Sequence, residues 1–278
     1  MITGGIKFFT QSKCLVDDGT EVVASTGQAS AERCIDRNPI TYWRSVGSDD
    51  TITEELEIVF NEDQTFDRIH LQDHNFKSYN IMYYSGGSYV HFGSVYGLDG
   101  ALANITETVY AKDTSYYEFA QVTSAKIRIQ VITTQTSDQD KYLNQVIVSS
   151  ELGTLVGHPD IKGTELDRQI RSERMLSGRV LAQKSDEVFS VGLDFINYPA
   201  SLSDDIDLLF TLHDSDDSFI IWLCGGRYGS TYFRKQLRGY RLRDLFQVQM
   251  LSSVKPIYSN NVFVNTVNLA VEFKESAE

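Results

Sequence analysis

The stretch "CIDRNPITYWRS", residues 34–45, combines a turn signature with one of the two tryptophans of the chain. Asp36 and Asn38 favour a turn because their side chains bond the backbone two residues on, and the following proline presets φ near about −65°. A chain reversal is therefore predicted at residues 36–40. In the extended run that follows, successive residues face opposite sides, so Trp43 can face inward where Arg44 faces out. The stretch predicts a loop that an indole ring anchors to a core.

Composition sets the class of protein. The 278 residues are 41% apolar and 12% aromatic, enough to bury ordinary cores in one large or two medium domains. The net charge of −13 argues against a nucleic-acid partner, because phosphate neutralisation needs clustered Lys and Arg. No apolar run approaches the roughly 18 to 20 residues that span a bilayer, so we expect no membrane insertion. The amino terminus lacks a signal-peptide pattern and the cysteines form no CxxC pair, which predicts cytosolic synthesis with free thiols.

Short strands with turn signals between them dominate residues 1–150. The run "KIRIQV", residues 126–131, alternates strictly between apolar and polar side chains, which is typical of a half-buried strand. Two aromatic-rich runs flank Ser85-Gly86-Gly87-Ser88, whose glycines supply the positive φ that tight hairpins need. Strands at this spacing predict a jelly-roll β-sandwich, and no pattern before residue 150 requires a long helix.

A change of pattern marks a second domain. Residues 151–175 carry glycines, a proline and mixed charges without strand alternation, which is typical of a connector with a short helix around 163–172. Beyond it, "PASLSDDIDLLFTLHDSD" has serines suited to an N-cap and apolar residues at helical spacing. Strand-like runs surround this helix. The sequence therefore predicts a mainly β protein in which 176–278 form a second compact β-rich domain with one helix.

No pattern in the chain predicts an enzyme. "GGRYGST" (225–231) lacks the lysine of a phosphate-binding loop. An EF-hand loop that began in "HDSDDS" (213–218) would lack both the required glycine and the required glutamate. His70 and His74 could share a strand face, but two ligands without a third make a poor metal site. No nucleophile elbow is present, and no Cys or Ser has a local partner for covalent catalysis. We expect a non-catalytic protein that requires no cofactor.

The opening stretch and a later run, "HNFKSYNIMYY" (74–84), share a pattern with a known family. The residues that match the pattern are Asp36, Asn38, Thr41, Trp43, His74, Asn75, Lys77, Tyr79, Ile81 and Tyr83. On these residues, 1–150 resemble the discoidin or coagulation-factor type C family of galactose-binding-like jelly rolls. The resemblance implies a sandwich whose variable tip loops can contact carbohydrate.

The same resemblance implies a metal site. In that family the loop often holds a structural calcium through the Asp side chain, the Thr hydroxyl and backbone carbonyls, with the Trp packed beneath. The implied calcium ligands here are Asp36, Asn38 and Thr41. Arg37 replaces the usual glycine, however, and Asn144 or Gln145 stands where a late glutamate often completes the site. The loop is closed either by calcium or by hydrogen bonds alone.

The second half resembles a different family. "RSERMLSGRVLAQ" (171–183), a helix with Leu-Leu, and "VNTVNLAVEF" (264–273) are similar to the belt domains of phage tail proteins of the distal-tail type. The resemblance implies a homo-oligomeric ring, a hexamer, with other tail proteins as neighbours. It also implies a location in the virion tail after synthesis in the host cytoplasm. The order of the two domains is reversed relative to that family.

One basic segment stands out in the acidic chain, "RYGSTYFRKQLRGYRLR", residues 227–243. Its cationic side chains are Arg227, Arg234, Lys235, Arg238, Arg241 and Arg243. It is either a solvated loop or a subunit interface, since a head-to-tail ring needs two different complementary patches.

Two functions follow from these patterns. The main prediction is a non-enzymatic virion structural protein, in which 176–278 build a ring and 1–150 decorate its periphery and contact host glycans. The alternative is a glycan-binding adhesion module whose carboxyl half is only a platform. The lack of an export signal favours the first function, and the oligomeric state discriminates between them.

Overall fold

The computed structural model describes residues 6–38, 40–92, 105–106, 114–156, 160–174, 180–199, 202–214, 218–222, 245–250, 256–260 and 265–275. The chain divides into two compact units, Ser12–Ser150 and residues 1–11 with 151–278. The paired strands of the described residues are antiparallel, which confirms the predicted mainly β fold class. Among these residues, no helix has the length and apolar character needed to cross a membrane.

The jelly-roll unit follows strand β1 (Lys7–Thr10), whose partners lie in the other unit. Its strands are β2 (Glu21–Ala24), β3 (Trp43–Arg44), β4 (Glu54–His74), β5 (Phe76–Ser85), β6 (Ser88–His91), β7 (Ile105–Thr106), β8 (Thr114–Thr134) and β9 (Tyr142–Ser149). Short 3-10 helices, Val16–Asp18 and Gln28–Cys34, lie before β3. The strand order is β3-β9-β4-β8-β5-β6, with β2 beside β4 and β7 beside β5.

The long strands β4 and β8 take part in both layers of the sandwich. Residues 54–59 of β4 pair with the end of β8, whereas residues 68–74 pair with β9 and the beginning of β8. The pairing is irregular between Val59 and Gln64, and such irregularities bend strands. Apolar side chains from both halves of β4 therefore meet in one core cluster, which also contains Trp43.

Two local predictions are confirmed. Ile127, Ile129 and Val131 of β8 are fully buried, and the polar residues between them face the opposite side. The hairpin of β5 and β6 turns through Gly86 and Gly87, whose φ values are 57° and 88°. Positive φ at both central residues is what a two-residue hairpin turn of the favoured type requires.

The second unit is a sheet with a helix. After β1 it contains β10 (Glu151–Thr154), β11 (Asp160–Arg174), β12 (Val180–Pro199), helix α1 (Ser203–Asp214), β13 (Phe219–Trp222), β14 (Leu245–Met250), β15 (Ile257–Asn260) and β16 (Asn265–Glu275). The strand order is β10-β1-β13-β14-β16-β12-β11, with β15 beside β16. Helix α1 confirms the predicted helix, and its buried Leu209 and Leu212 join the core around Phe8, Phe219 and Phe273.

The structure draws the boundaries differently from the predicted domains 1–150, 151–175 and 176–278. Strand β1 pairs with β10 and β13, so residues 1–11 belong with the second unit. Pairing between strands this far apart in sequence leaves no local signal.

The predicted helix around 163–172 is wrong. These residues lie in β11, which pairs with β12 along its length. Shifts of register at 162–165 and 168–170 interrupt the alternation by which a strand is recognised in sequence.

Candidate functional site

Trp43 lies in the core of the jelly-roll unit. Its side chain has no exposed area, and its indole Nε1 donates a hydrogen bond to the carbonyl oxygen of Thr26 at 3.1 Å. Gly27, with φ of 67°, packs so tightly here that a Cβ would lie 1.9 Å from the carbonyl oxygen of Arg44. The indole therefore ties the segment before the second 3-10 helix to β3, as part of the scaffold.

The structure brings Asp36, Asn38 and Thr41 together in an exposed loop. The two carboxylate oxygens of Asp36 accept hydrogen bonds from the backbone N–H of Asn38 and from Thr41 Oγ1, each at 2.8 Å. Thr41 Oγ1 also lies 3.1 Å from the carbonyl oxygen of Asn38. These bonds give the loop a defined conformation from its own side chains.

Asn144 closes this loop from strand β9. Its side chain is 3% exposed, and Nδ2 donates to the carbonyl oxygens of Asn38 at 3.2 Å and Thr41 at 2.5 Å. Calcium takes about six to eight oxygen ligands, with several carboxylates in tight sites. Here one carboxylate is present and an amide nitrogen already faces both carbonyls, so the donor set does not fit a calcium ion. In the described part of the chain, no three His, Cys, Asp or Glu side chains gather as a metal site.

The outer side of β3 carries an aromatic and charged surface, the Tyr–Arg cluster, formed by Tyr42, Arg44, Asp73 and Tyr142. The ring centroids of Tyr42 and Tyr142 are 5.7 Å apart at 86°. Cζ of Arg44, which is opposite Tyr142 in the β3–β9 pair, lies 5.8 Å and 5.4 Å from these two centroids. Tyr42 Oη donates to Asp73 Oδ2 at 2.5 Å. Cations within about 6 Å of a ring centroid are attracted to the ring, so the exposed guanidinium is held in place.

Loop 45–53, beside this cluster, is held by Lys141. The Lys141 side chain is fully buried, and Nζ donates to the carbonyl oxygens of Asp49 and Ile52 at 2.8 Å each and to Ser48 Oγ at 3.4 Å. Hydrogen bonds from Thr51 lower the pKa of the Asp49 carboxyl, and the charge of Lys141 lowers it further. Hydrogen bonds from Lys141, the residue just before β9, therefore hold the loop in place.

A second aromatic and charged group lies on the opposite layer of the sandwich. Arg128 Cζ is 3.8 Å from the ring centroid of Tyr89, and its nitrogens contact Glu57 at 2.9 Å and Glu55 at 3.3 Å. Partial burial tends to raise the pKa of Glu57, but hydrogen bonds from Tyr89, Arg128 and Lys126 outweigh it and hold the pKa at about 2. Because its charges are paired with each other, this group stabilises the sheet.

His70 and His74, the histidines considered from the sequence, are both buried. His74 accepts a hydrogen bond from the backbone N–H of Phe76 at 3.1 Å and contacts Ser115 Oγ at 3.0 Å in the interior. The basic segment 227–243 lies outside the described residues. This segment contains the residues of the predicted subunit interface, Arg227, Arg234, Lys235, Arg238, Arg241 and Arg243.

Sequence reasoning missed Tyr42, Asp73 and Tyr142. The signal for Tyr42 was present, since it precedes the inward Trp43 and so shares the outward side with Arg44. Tyr142 and Asp73 reach the same place through the pairing of β9 with β3 and β4, which no local pattern indicates.

No protein-family model matches the chain, and no curated protein matches it. Among solved structures, the chain is similar to a mutant of chitosan-binding module 1 from the chitosanase/glucanase of Paenibacillus sp. IK-5. The two share 19% identity over 51% of this chain and 99% of that chain, with a TM-score of 0.40. The family 32 carbohydrate-binding module of C. perfringens NanJ, solved with galactose, shows 15% identity over 50% of this chain and 98% of that one, with a TM-score of 0.41.

The solved structures also include larger proteins. SpGH29 is 19% identical over 51% of this chain with a TM-score of 0.38, and the match covers only 28% of SpGH29. Several of the similar structures are therefore carbohydrate-binding modules, and others are chains of which the matched region is a small part.

Proposed function

We propose that the jelly-roll unit is a non-catalytic carbohydrate-binding module and that the Tyr–Arg cluster is its ligand contact. The observation that carries the proposal is the Arg44 guanidinium. It is exposed and lies beside two tyrosine rings, and in the described part of the chain no carboxylate pairs with it. Arg128, by contrast, is paired with two glutamates. An arginine held in place with unused donors is suited to bind a ligand.

The chemistry of the cluster suits a sugar. Ligand sites combine aromatic surface with a few polar groups that fix orientation, and a guanidinium offers five N–H donors for hydroxyl oxygens. Tyr42 and Tyr142 stand at 86°, so they form a corner instead of a flat platform. The Arg44 guanidinium lies beside both rings, so a bound sugar would contact the guanidinium together with the neighbouring ring atoms. Binding by one such site is weak and gains strength when several copies act together.

A glycan array probed with the full chain tests this proposal. We expect the wild type to bind a subset of glycans, and Arg44→Ala to weaken that binding by about tenfold or more, because hydrogen bonds to charged groups contribute about 1.5 to 3 kcal/mol. Arg128→Ala is the matched control, since it also removes an arginine that lies on a tyrosine ring in the same unit. A wild type that binds no glycan, or an Arg44→Ala variant that binds like the wild type, contradicts the proposal.

A second observation favours a structural function for the other unit. Strand β12 pairs with β16 from Ser190 to Pro199, whereas the residues of β12 before Ser190 pair, within the described ranges, with β11 alone. Two-stranded ribbons are marginally stable by themselves. We therefore propose that a neighbouring copy covers this ribbon. Together with the resemblance to belt domains, the ribbon supports a ring-forming protein of a phage tail, made in the host cytoplasm, with a hexameric ring and other tail proteins as partners.

Mass photometry of the purified full chain tests the ring. The expected particle has six times the 31.4 kDa mass of the chain. If the basic segment 227–243 is part of the interface, Arg238→Glu combined with Arg241→Glu abolishes the ring and leaves folded monomers. A wild type that stays monomeric at all concentrations contradicts the ring and leaves the carbohydrate-binding proposal standing.

A further inference from the structure

Two loops of the jelly-roll unit are closed in the same way. In the first, the carbonyl oxygens of Asn38 and Thr41, three residues apart, converge on Nδ2 of Asn144 at 3.2 Å and 2.5 Å. An amide NH₂ has two hydrogens to donate, so one side chain can satisfy both carbonyls. The side chain of Asn144 is almost fully buried, and water therefore has little access to replace it.

The second loop repeats this arrangement with a lysine. The carbonyl oxygens of Asp49 and Ile52, again three residues apart, both lie 2.8 Å from Nζ of Lys141. Ser48 Oγ, at 3.4 Å, is a third acceptor. An ammonium group has three hydrogens, and a buried charge is tolerated when such groups satisfy it. Lys141 is fully buried, so its charge is committed to this loop.

We infer that Asn144 and Lys141 are positioning residues that close both loops with nitrogen donors, so that the loops are ordered without a bound metal ion. Converging carbonyl oxygens repel each other unless a positive group lies between them. A divalent cation is one such group. A fixed ammonium or amide NH₂ is another, here from Lys141 just before β9 and from Asn144 in β9. The inference depends on these contacts and does not depend on which ligand the Tyr–Arg cluster binds.

Thermal unfolding of the full chain in EDTA and in calcium tests this inference. We expect the wild-type Tm to be the same in both buffers, and calorimetric titration of the metal-free chain with calcium to show no binding. Asn144→Ala removes the donor to the Thr41 carbonyl and one of the donors to the Asn38 carbonyl, which should lower Tm by about 5 °C in both buffers. A purely structural residue elsewhere could give that loss, so a second readout is needed.

Asn144→Glu supplies that readout. It removes the donor and puts carboxylate oxygens beside the Asn38 and Thr41 carbonyls, so the variant should have a lower Tm in EDTA that calcium raises by about 5 °C. Gln145→Glu is the matched control, because it adds the same charge at the next residue without a bond to the loop. We expect it to show no calcium-dependent gain.

Three results would overturn the inference. They are a wild-type Tm that rises with calcium, an Asn144→Ala variant that melts like the wild type, and a folded Asn144→Glu variant that does not respond to calcium. If Asn144→Glu fails to fold, the wild-type calcium titration and the Asn144→Ala comparison decide the matter by themselves.

Discussion

Replacing Trp43 with alanine is the sharpest test of the fold that carries the candidate site. A buried tryptophan removes about 150 to 250 Å² from water, which at about 25 cal/mol per Å² corresponds to about 4 to 6 kcal/mol. Alanine retains part of that contribution, and Trp→Ala substitutions in cores lower the free energy of unfolding by about 3 to 5 kcal/mol. The hydrogen bond to Thr26 adds about 1 kcal/mol. We expect Trp43→Ala to lower the free energy of unfolding by about 4 kcal/mol, a large part of the stability of a domain.

Urea unfolding followed by circular dichroism measures this loss. Trp43→Phe keeps most of the apolar ring and loses the bond to Thr26, so we expect a smaller cost of about 1 to 2 kcal/mol. Trp222→Phe, in the other unit, is the control and should leave the transition of the jelly-roll unit unchanged. If Trp43→Ala unfolds within about 1 kcal/mol of the wild type, the indole is not an anchor and the reasoning about this scaffold fails.

Two further predictions concern other parts of the jelly-roll unit. Gly27→Ala should lower Tm sharply, because the new Cβ would lie 1.9 Å from the carbonyl oxygen of Arg44, whereas Gly86→Asn, at a positive φ with open space around it, should be tolerated; thermal unfolding compares the two. Because the pKa of Glu57 is held at about 2, below its ordinary value of 4.5, its stabilising contribution is present above about pH 4.5 and is lost as the pH falls towards 2. Urea unfolding at about pH 5 and at about pH 3 measures this contribution. The free energy of unfolding should fall less between these pH values for Glu57→Gln than for the wild type, and an equal fall would contradict the pairing of Glu57.

Features of the fold that depend on neighbours in sequence were predictable. The turn before Trp43, the alternation of β8 and the glycine turn between β5 and β6 each follow from residues a few positions apart. Helix α1 was predictable for the same reason, since its apolar residues recur at helical spacing.

Other features depend on which strands pair and could not be predicted. Strand β1 has only four residues, and its partners β10 and β13 follow more than a hundred residues later. Strand β11 was mistaken for a helix because register shifts break its alternation. In the candidate site, the β3–β9 pairing brings Tyr142 to β3 and Asn144 to the loop before β3. The hydrogen bond from Asn144 to the Thr41 carbonyl depends on that pairing, so it could not be predicted from the sequence.

The central claim is that Arg44 and the two tyrosines contact a glycan, and a crystal structure of the chain with its strongest array ligand tests it most directly. The account predicts a sugar ring packed against the Tyr42 or Tyr142 ring, with a hydroxyl or carboxylate oxygen about 3 Å from an Arg44 nitrogen. A sugar bound elsewhere, for example over Tyr89 and Arg128 on the opposite layer, with Arg44 left in solvent, would contradict it.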